Sequence, residues 1–325
     1  MKKTLISLVA AAVAVFAATS APAQEAYPTR PIRLIVGFSA GGPTDVIARV
    51  VARDMSETLG QSVVVENKPG ANSMIATDYA ARAEPDGYTL LMSTLAHNVN
   101  AILSPELINY DPFKDFEAVT LVATVPMIAV THYDSPYQSL KDIAEAAKAE
   151  PGNIKYGSAG NGGSAHLAGA YFATASGVEM THVPFKGNGP ALTEVMAGRL
   201  NFMFYPTIGV ADLQKQKRIR ALAITTAERH PDFPDVPTTT EAGFKGFDEY
   251  SPGIGLLVPA GTPQNIKDKL HAAVTKSLQN PESAQQLRRL GAVTSGEGAE
   301  GFSKWLRDDY ARWERVIKAA NITTQ

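Results

Sequence analysis

Residues 30–59, RPIRLIVGFSAGGPTDVIARVVARDMSETL, decide the fold of this chain. The apolar, β-branched run at 32–38 is typical of a buried parallel strand, and the small residues that follow it let the backbone turn tightly. Pro43 then suits the first position of a helix, and apolar residues recur at three- and four-residue steps as far as Leu59. The stretch therefore predicts a strand, a small-residue turn and a helix whose N-terminal N–H groups point past the end of the strand.

Such a turn is a place where an anion can bind. The N–H groups and the dipole of a helix N-terminus attract negative charge, and ligands of open α/β sheets lie at the carboxyl ends of the strands. Asp45, in the first helical turn, caps some of those N–H groups itself. We therefore interpret Asp45 as a site residue that shapes the loop. An ordinary strand–helix connection without a ligand stays open as the alternative, because a fold does not by itself imply a function.

The first residues have the pattern of an export signal. Lys2 and Lys3 precede an apolar run at 5–18, and a small-x-small cleavage site ends at Ala23. The run is too short to span a membrane comfortably. We predict that residues 1–23 are a signal peptide and that the protein is released into the periplasm. The mature chain would have 302 residues and a net charge of −4, since the signal contains two lysines and no acid.

Composition excludes several classes of function. A mildly acidic chain has no basic field for nucleic acid or anionic lipid, so neither is predicted as a partner. The sequence has no cysteine, which excludes disulfides, thiol nucleophiles, cysteine-ligated metals and a lipid-modified N-terminal cysteine. The length suits two domains of about 150 residues, each with its own core.

Strand and helix patterns alternate along the first hundred residues. A second strand at 62–66, a turn at 67–72, a short helix at 73–82 and a third strand at 87–92 follow the first helix. This β-α-β-α-β order describes a doubly wound half-sheet. The third strand runs into Thr94, whose hydroxyl we expect at the same crevice.

Later segments repeat the opening architecture. A strand at 154–156 leads through GSAGNGGS, residues 157–164, into a helix. Another Gly-rich turn follows a strand at 180–185, and Pro190 opens the next helix. The last helix carries a stripe of aromatic residues, which we interpret as packing against the first lobe.

The patterns of known catalytic and metal sites are missing from the sequence. None of the six histidines forms an i, i+4 pair, so no zinc site is predicted. The segment at 157–160 is one residue short of a GxSxG elbow, and GxGxxG and Walker A patterns are absent, so no cofactor is predicted. His166 would serve as a base only with an orienting partner. Loops that offer N–H and hydroxyl donors, without acids, bases or metals, indicate a binding protein with no catalytic residue.

Six segments of the chain resemble a known family. They are YPTRPIRLIVGFSAGGPTDVIARVVA, VENKPGA, EPDGYTLLMST, YGSAGNGGSAHLAGAYF, HVPFKGNGPAL and VPTTTEAGF, in this order. The chain closely resembles the receptors of tripartite tricarboxylate transporters, the Bug family, over nearly all of its mature length. The resemblance implies an α/β, two-lobed type II periplasmic-binding-protein fold with a ligand cleft between the lobes. Under it, residues 24–123 and 247–325 form a discontinuous lobe 1, and residues 124–246 form lobe 2.

The resemblance also implies a ligand site. In the family, main-chain and water contacts of the loop that matches residues 38–42 hold one ligand carboxylate, and the loops of the second lobe face it across the cleft. Two departures are Asn72-Ser73, where the family often has Gly-Gly, and Ala170, where the family frequently has Glu. The predicted site residues are Phe38, Ser39, Ala40, Gly41, Gly42, Asp45, Thr94, His97, Ser158, Gly162, Gly163, Ser164, His166, Phe185, Lys186, Gly187, Tyr205 and Thr207. The candidates for contact with the distal end of the ligand are His97, Asn98, Phe185, Tyr205, Thr207 and Tyr250. Lys186 is a candidate partner for a distal carboxylate, and a solvated lysine at a glycine-flanked turn stays open as the alternative.

Two classes of function remain at this point. The first is a monomeric receptor that binds a small mono- or dicarboxylate, aliphatic or aromatic, and presents it to the membrane components of a tripartite tricarboxylate transporter. The alternative is an exported enzyme, such as a hydrolase, or a signalling receptor on the same bilobal fold. A receptor shows only saturable binding, whereas an enzyme turns an acid over and loses that turnover when His166 is replaced.

Overall fold

The computed structural model of the protein describes residues 27–185, 187–247, 250–319 and 321–322. The predicted signal peptide lies outside these ranges. Within them, no helix is both long enough and apolar enough to cross a membrane.

The strands form a large sheet and two smaller ones. They are β1 (Ile32–Val36), β2 (Val63–Asn67), β3 (Thr89–Ser93), β4 (Phe116–Thr124), β5 (Met127–His132), β6 (Lys155–Ser158), β7 (Thr181–Pro184), β8 (Met203–Pro206), β9 (Ile219–Ile224), β10 (Gly253–Pro259) and β11 (Val293–Glu297). The large sheet has the order β11-β4-β10-β3-β1-β2, in which β2, β1 and β3 are parallel and β10 is antiparallel to both neighbours. An antiparallel sheet of order β8-β5-β9 adjoins the parallel pair β6-β7 through a bridge between Tyr156 and Phe202.

Helices cover and connect these sheets. They are α1 (Pro43–Leu59), α2 (Met74–Ala81), α3 (Ala96–Leu103), α4 (Leu140–Ala149), α5 (Ser164–Ser176), α6 (Asn188–Met196), α7 (Val210–Lys215), α8 (Gln264–Gln279), α9 (Pro281–Arg289) and α10 (Ala299–Ala319). The opening order β1-α1-β2-α2-β3 confirms the predicted doubly wound half-sheet. A short 3₁₀ turn, Ala71–Ser73, precedes α2.

The chain crosses between the two halves of the molecule twice. It leaves the large sheet after Thr124 and enters the β8-β5-β9 sheet at Met127, then leaves that sheet after Ile224 and returns at Gly253. We call the half built on the large sheet lobe 1 and the other half lobe 2. The two-lobed α/β fold is as predicted, and we keep 124–246 as the proposed extent of lobe 2.

Each lobe has its own core. In β1, Ile32, Leu34 and Val36 pack into one cluster with α1 and α8, while Ile35 points to a second cluster on the opposite face of the sheet. Both faces of this strand are thus apolar, as expected for a parallel strand covered on two sides. A third cluster forms the core of lobe 2 and includes Phe172.

The last helix serves both lobes. Phe302 and Leu306 of α10 pack in the core of lobe 1, whereas Trp313 and Ile317 belong to the core cluster of lobe 2. The prediction that the aromatic stripe packs against the first lobe therefore holds for the first half of the helix, and the second half packs in lobe 2. The reason is length: a helix of 21 residues extends about 30 Å and reaches past one lobe.

Candidate functional site

The turn between β1 and α1 is a glycine loop closed by its own helix. We call residues Ser39–Gly42 the first glycine loop. Gly41 has a φ of +80°, which favours glycine, and its N–H donates to Oδ2 of Asp45 at 2.8 Å. Gly42 caps α1 with φ −75° and ψ 165°, and its N–H donates to the carbonyl of Ser39 at 3.3 Å.

Asp45 shapes this loop, as its position in the first helical turn predicts. The side chain is buried, with Arg49 Nε 2.9 Å from Oδ2 and Asn67 Nδ2 2.8 Å from Oδ1. Asn67 also donates to the carbonyl of Phe38 at 2.9 Å. Burial alone would raise the pKa of Asp45, but hydrogen bonds from Arg49, Gly41 and Asn67 outweigh it and hold the pKa below its ordinary value. Asp45 is therefore ionised, and its carboxylate already accepts hydrogen bonds from the loop and the neighbouring side chains.

The turn between β6 and α5 has the same construction. We call residues Gly160–Gly163 the second glycine loop. Gly162 has a φ of +71°, and its N–H donates to Nδ1 of His166 at 3.0 Å. Gly163 caps α5 with φ −74° and ψ 161°, and its N–H donates to the carbonyl of Gly160 at 3.4 Å. His166 thus holds in the second loop the place that Asp45 holds in the first.

His166 is a neutral acceptor. Because Nδ1 accepts the N–H of Gly162, the ring proton lies on Nε2. The ring stacks on His182 with centroids 3.8 Å apart. Burial lowers the pKa of His166 to about 4, and burial together with repulsion from His166 lowers the pKa of His182 to about 3. Both imidazoles are uncharged at neutral pH, and they border a cavity of about 770 Å³ beside α5.

Ser158 is hydrogen-bonded to the second loop through its hydroxyl. Its Oγ lies 2.6 Å from Nε2 of His182 and 3.0 Å from both the N–H and the carbonyl of Gly160. The spacing to His182 is that of a nucleophile and a base, but Ser158 has no exposed surface. A hydroxyl that is closed to solvent and bonded to the loop is a structural group.

A strained turn lies between the two loops. Gly70, Ala71, Asn72 and Ser73 all have positive φ angles, at 133°, 45°, 48° and 73°. A Cβ at Gly37, beside the first loop, would lie 1.8 Å from Ser73 Oγ. A Cβ at Gly162 would lie 3.4 Å from Asn72 Nδ2.

The same face of lobe 1 approaches the second loop with apolar atoms. The Cβ position of Gly162 is 3.2 Å from Leu103 Cδ1 and 3.6 Å from Val99 Cγ1, both on α3. Asn72 Nδ2 donates to Asn100 Oδ1 at 3.0 Å, and Asn100 Nδ2 donates to the carbonyl of Asn72 at 2.8 Å. The lobes therefore meet in one continuous region, formed by residues 37–42, 70–73 and 158–164. The N-termini of α1 and α5 both lie in this region.

The structure also describes other predicted site residues. Phe185 donates its N–H to the carbonyl of Ser158 at 2.9 Å, and Gly187 caps α6. Thr94 is half-buried and its Oγ1 accepts the N–H of Ala96 at the start of α3. Tyr205 is half-buried on β8, where burial raises its pKa. Lys186 lies outside the described residues, so its role stays a prediction.

Four side chains predicted to contact the distal end of a ligand are buried in the structure. His97 is 1% exposed, bonded through Nε2 to the carbonyl of Pro112 at 3.0 Å and packed against Phe116. Asn98 and Tyr250 are equally buried and bonded within the protein. The hydroxyl of Thr207 is turned to the carbonyl of Gly291 at 3.3 Å. Burial closes these four side chains to a ligand, although Nδ1 of His97 and Oδ1 of Asn98 have no hydrogen-bond partner within the described residues.

Sequence reasoning missed Asn67 and Asn72 as parts of the site. Each makes hydrogen bonds to residues between 22 and 29 positions away, which no local pattern reveals. The one signal was the departure at Asn72-Ser73, because family glycines at that place indicate positive φ angles.

Comparison with known proteins places this geometry in a family. The model of the tripartite tricarboxylate transporter family receptor matches residues 47–322. Protein BugT of Bordetella pertussis is 34% identical over 317 residues, which is 95% of this chain and 96% of BugT.

Solved structures agree with the sequence comparison. An R. palustris protein solved with adipate is 34% identical, with a TM-score of 0.83 over 91% of this chain and 99% of that one. MatC from Rhodopseudomonas palustris, solved with bound malate, is 32% identical, with a TM-score of 0.80 over 90% of this chain and 100% of that one. Both structures share the fold over nearly their whole length.

Proposed function

The chain belongs to the tripartite tricarboxylate transporter receptor family, and on this premise we propose that it binds a small organic acid between its lobes and presents it to the membrane components of such a transporter. The relatives solved with adipate and malate support a small carboxylate as the ligand. We further propose that the receptor is exported to the periplasm by its signal peptide and acts there as a monomer.

The observation that carries the proposal is the pair of matched helix N-termini. The first N–H groups of a helix have no partner within the helix, and both α1 and α5 begin in the region where the lobes meet. A carboxylate held there gains about 1.5–3 kcal/mol per charge-assisted hydrogen bond and up to about 1 kcal/mol from each helix dipole. A few such contacts give micromolar affinity after the entropy of association is subtracted.

The electrostatics of the two loops favour an anion. Arg49 compensates the charge of Asp45 with Nε 2.9 Å from Oδ2, and His166 brings no charge to the second loop at neutral pH. An uncharged or cationic ligand would leave the helix dipoles unused. The loops hold a carboxylate by main-chain groups, so selectivity among acids falls to side chains, and we propose Phe185, Lys186 and Tyr205 for that role.

Binding of a series of acids tests the proposal. The protein is heated with adipate, malate, their monocarboxylate analogues and the matching diamides, and hits are measured by calorimetry. Ligands that bind the native state raise the unfolding temperature by mass action. Saturable binding of an acid, with no binding of its diamide, is the expected result.

Two outcomes would contradict the proposal. One is a chain that binds none of the acids or binds acid and diamide alike. The other is turnover of a bound acid or its ester that disappears in His166→Gln, which would support the hydrolase alternative.

A further inference from the structure

We propose that Tyr250 is a positioning residue that ties the second glycine loop to lobe 1 and thereby sets ligand affinity without touching the ligand. The inference rests on the proposed function, because it concerns the same site. Tyr250 lies on the segment that returns from lobe 2 to β10, between Phe247 and Gly253, and it is 1% exposed. The chain here is the crossing between the lobes, where a fixed contact acts on both.

The hydroxyl of Tyr250 reaches the start of α5, next to the second glycine loop. It donates to the main-chain carbonyl of Ser164, the first residue of α5 and the neighbour of the N-cap Gly163. The bond therefore fixes the helix terminus that the proposed function assigns to the carboxylate. A main-chain contact of this kind positions N–H donors without itself carrying charge to the ligand.

The ring of Tyr250 continues the connection toward lobe 1. It meets the indole of Trp313 edge to face, with ring centroids 4.9 Å apart and an interplanar angle of 89°. Trp313 Nε1 donates to Oδ1 of Asp309 at 2.9 Å. Asp309 Oδ2 accepts from Nδ2 of Asn98 at 2.9 Å. Asn98 belongs to α3 of lobe 1, so the contacts run unbroken from that helix to Ser164, the residue that follows the second loop.

This arrangement is fixed in geometry. Asp309 is 2% exposed and Asn98 1% exposed, and buried polar groups that are bonded to one another adopt few alternative arrangements. Asn98 Nδ2 also donates to the carbonyl of Leu306 at 2.9 Å, which anchors its amide on α10. A binding loop held by such a support loses less entropy when a ligand arrives. Removing the hydroxyl of Tyr250 should therefore lower the affinity for the ligand, whereas an equivalent hydrogen bond lost elsewhere should lower only the stability of the fold.

A matched pair of variants separates positioning from stability. Tyr250→Phe keeps the ring on Trp313 and removes only the hydroxyl. Tyr27→Phe removes the same kind of bond in lobe 1, since the buried Tyr27 donates to the carbonyl of Gly87 at 2.7 Å and packs edge-on against Tyr88 at 5.1 Å. Each variant is measured by thermal unfolding and by calorimetry with the acid that binds the unsubstituted protein best.

We expect both variants to unfold about 2–4 °C lower, the effect of one lost hydrogen bond in a chain of this size. Tyr250→Phe should bind the acid about fivefold more weakly, the lower end of typical coupling between sites, whereas Tyr27→Phe should bind it unchanged. Should Tyr250→Phe fail to fold, Trp313→Phe takes its place, because it frees Asp309 and leaves the tyrosine intact, and the same loss of affinity is expected.

Three results would overturn the inference. Equal affinities in Tyr250→Phe and the unsubstituted protein would leave Tyr250 as a core residue only. Equal losses in Tyr250→Phe and Tyr27→Phe would mean that affinity follows stability. An unsubstituted protein that binds none of the acids would refute the proposed function, and the inference would fall with it, whereas the first two results leave that function intact.

Discussion

The first and second glycine loops have nearly the same backbone and different chemistry. Their N-cap glycines have φ and ψ of −75° and 165° in one and −74° and 161° in the other, and each follows a glycine with positive φ. In both, the third helical residue accepts the N–H of that glycine. The acceptor is the carboxylate of Asp45 in lobe 1 and the neutral imidazole of His166 in lobe 2.

The loops also differ in what surrounds them. A Cβ at Gly41 would meet no atom within 4 Å, whereas a Cβ at Gly162 would meet Leu103 at 3.2 Å. The first loop is therefore held by charge and faces open space, and the second is held by a neutral base and faces the other lobe. The comparison teaches that one backbone solution can be stabilised by acceptors that lose their function at different pH values.

Acid should weaken the second loop before the first. The pKa of His166 is about 4 in the folded protein and 6.5 ordinarily, so the unfolded chain binds more protons between these values. The contribution of His166 to the free energy of unfolding is fully present above pH 6.5. It falls by about 3 kcal/mol as the pH is lowered to 4. His166→Gln keeps an acceptor and does not titrate. The slope of the unfolding free energy against pH, from urea titrations, should therefore decrease by about 1.4 kcal/mol per pH unit in that window.

Asp45→Asn is the control for this prediction. The pKa of Asp45 is lowered from 3.8, so its contribution is present above pH 3.8 and is lost as the pH falls through the lower folded value. The substitution should reduce stability at neutral pH and leave the slope above pH 5 unchanged. Asp309, whose pKa burial raises to about 6, contributes a slope of opposite sign, and it cancels in each difference from the unsubstituted protein. An unchanged slope in His166→Gln would show that His166 does not titrate with folding.

The surroundings of the loops predict unequal costs of a methyl group. Gly41→Ala should lose about 1–2 kcal/mol of unfolding free energy, the cost of a left-handed φ in a residue with a Cβ. Gly162→Ala bears the same strain and also pushes on Leu103 and Asn72, so it should lose at least about 1 kcal/mol more. Urea unfolding of the two variants measures this difference. Equal losses would mean that a methyl group at Gly162 meets no resistance from lobe 1.

The sequence predicted the parts of the fold that local patterns determine. The alternation of β1, α1, β2, α2 and β3 follows from short apolar runs, Pro43 at a helix start and glycine turns, and these hold in the structure. It did not predict α3, because the buried His97, Asn98 and Asn100 make that helix read as a polar segment. Their partners lie up to 211 positions away along the chain, and only the folded chain brings them together.

The site shows the same division. The two glycine loops were predicted, because small residues between a strand and a helix carry their own geometry. The polar residues after β3 were predicted to face a ligand, and His97 instead packs inside lobe 1 against Tyr110 and Phe116. The direction of a side chain depends on which elements pack around it in the folded chain, and local sequence patterns do not reveal this packing.

The strained turn at 70–73 gives the test with the smallest expected effect. Two of its residues are involved, one next to the first loop and the other against the second. Ser73, with a φ of +73°, lies against Gly37 beside the first loop, and Asn72, with a φ of +48°, lies against Gly162 of the second. Ser73→Gly relieves the left-handed strain and should stabilise the protein by up to about 1 kcal/mol, after the greater entropy of glycine in the unfolded chain is subtracted. Thermal and urea unfolding measure this gain.

Asn72→Gly relieves a similar strain and should gain nothing. The side chain that is lost donates to Asn100 Oδ1 at 3.0 Å, and a buried acceptor without its donor costs about 1 kcal/mol or more, which offsets the relief. Asparagine also tolerates the left-handed conformation better than serine, so less strain is present to relieve. If Asn72→Gly stabilises the protein as much as Ser73→Gly, the Asn72–Asn100 pair contributes nothing, and lobe 1 meets the second loop only through Val99 and Leu103.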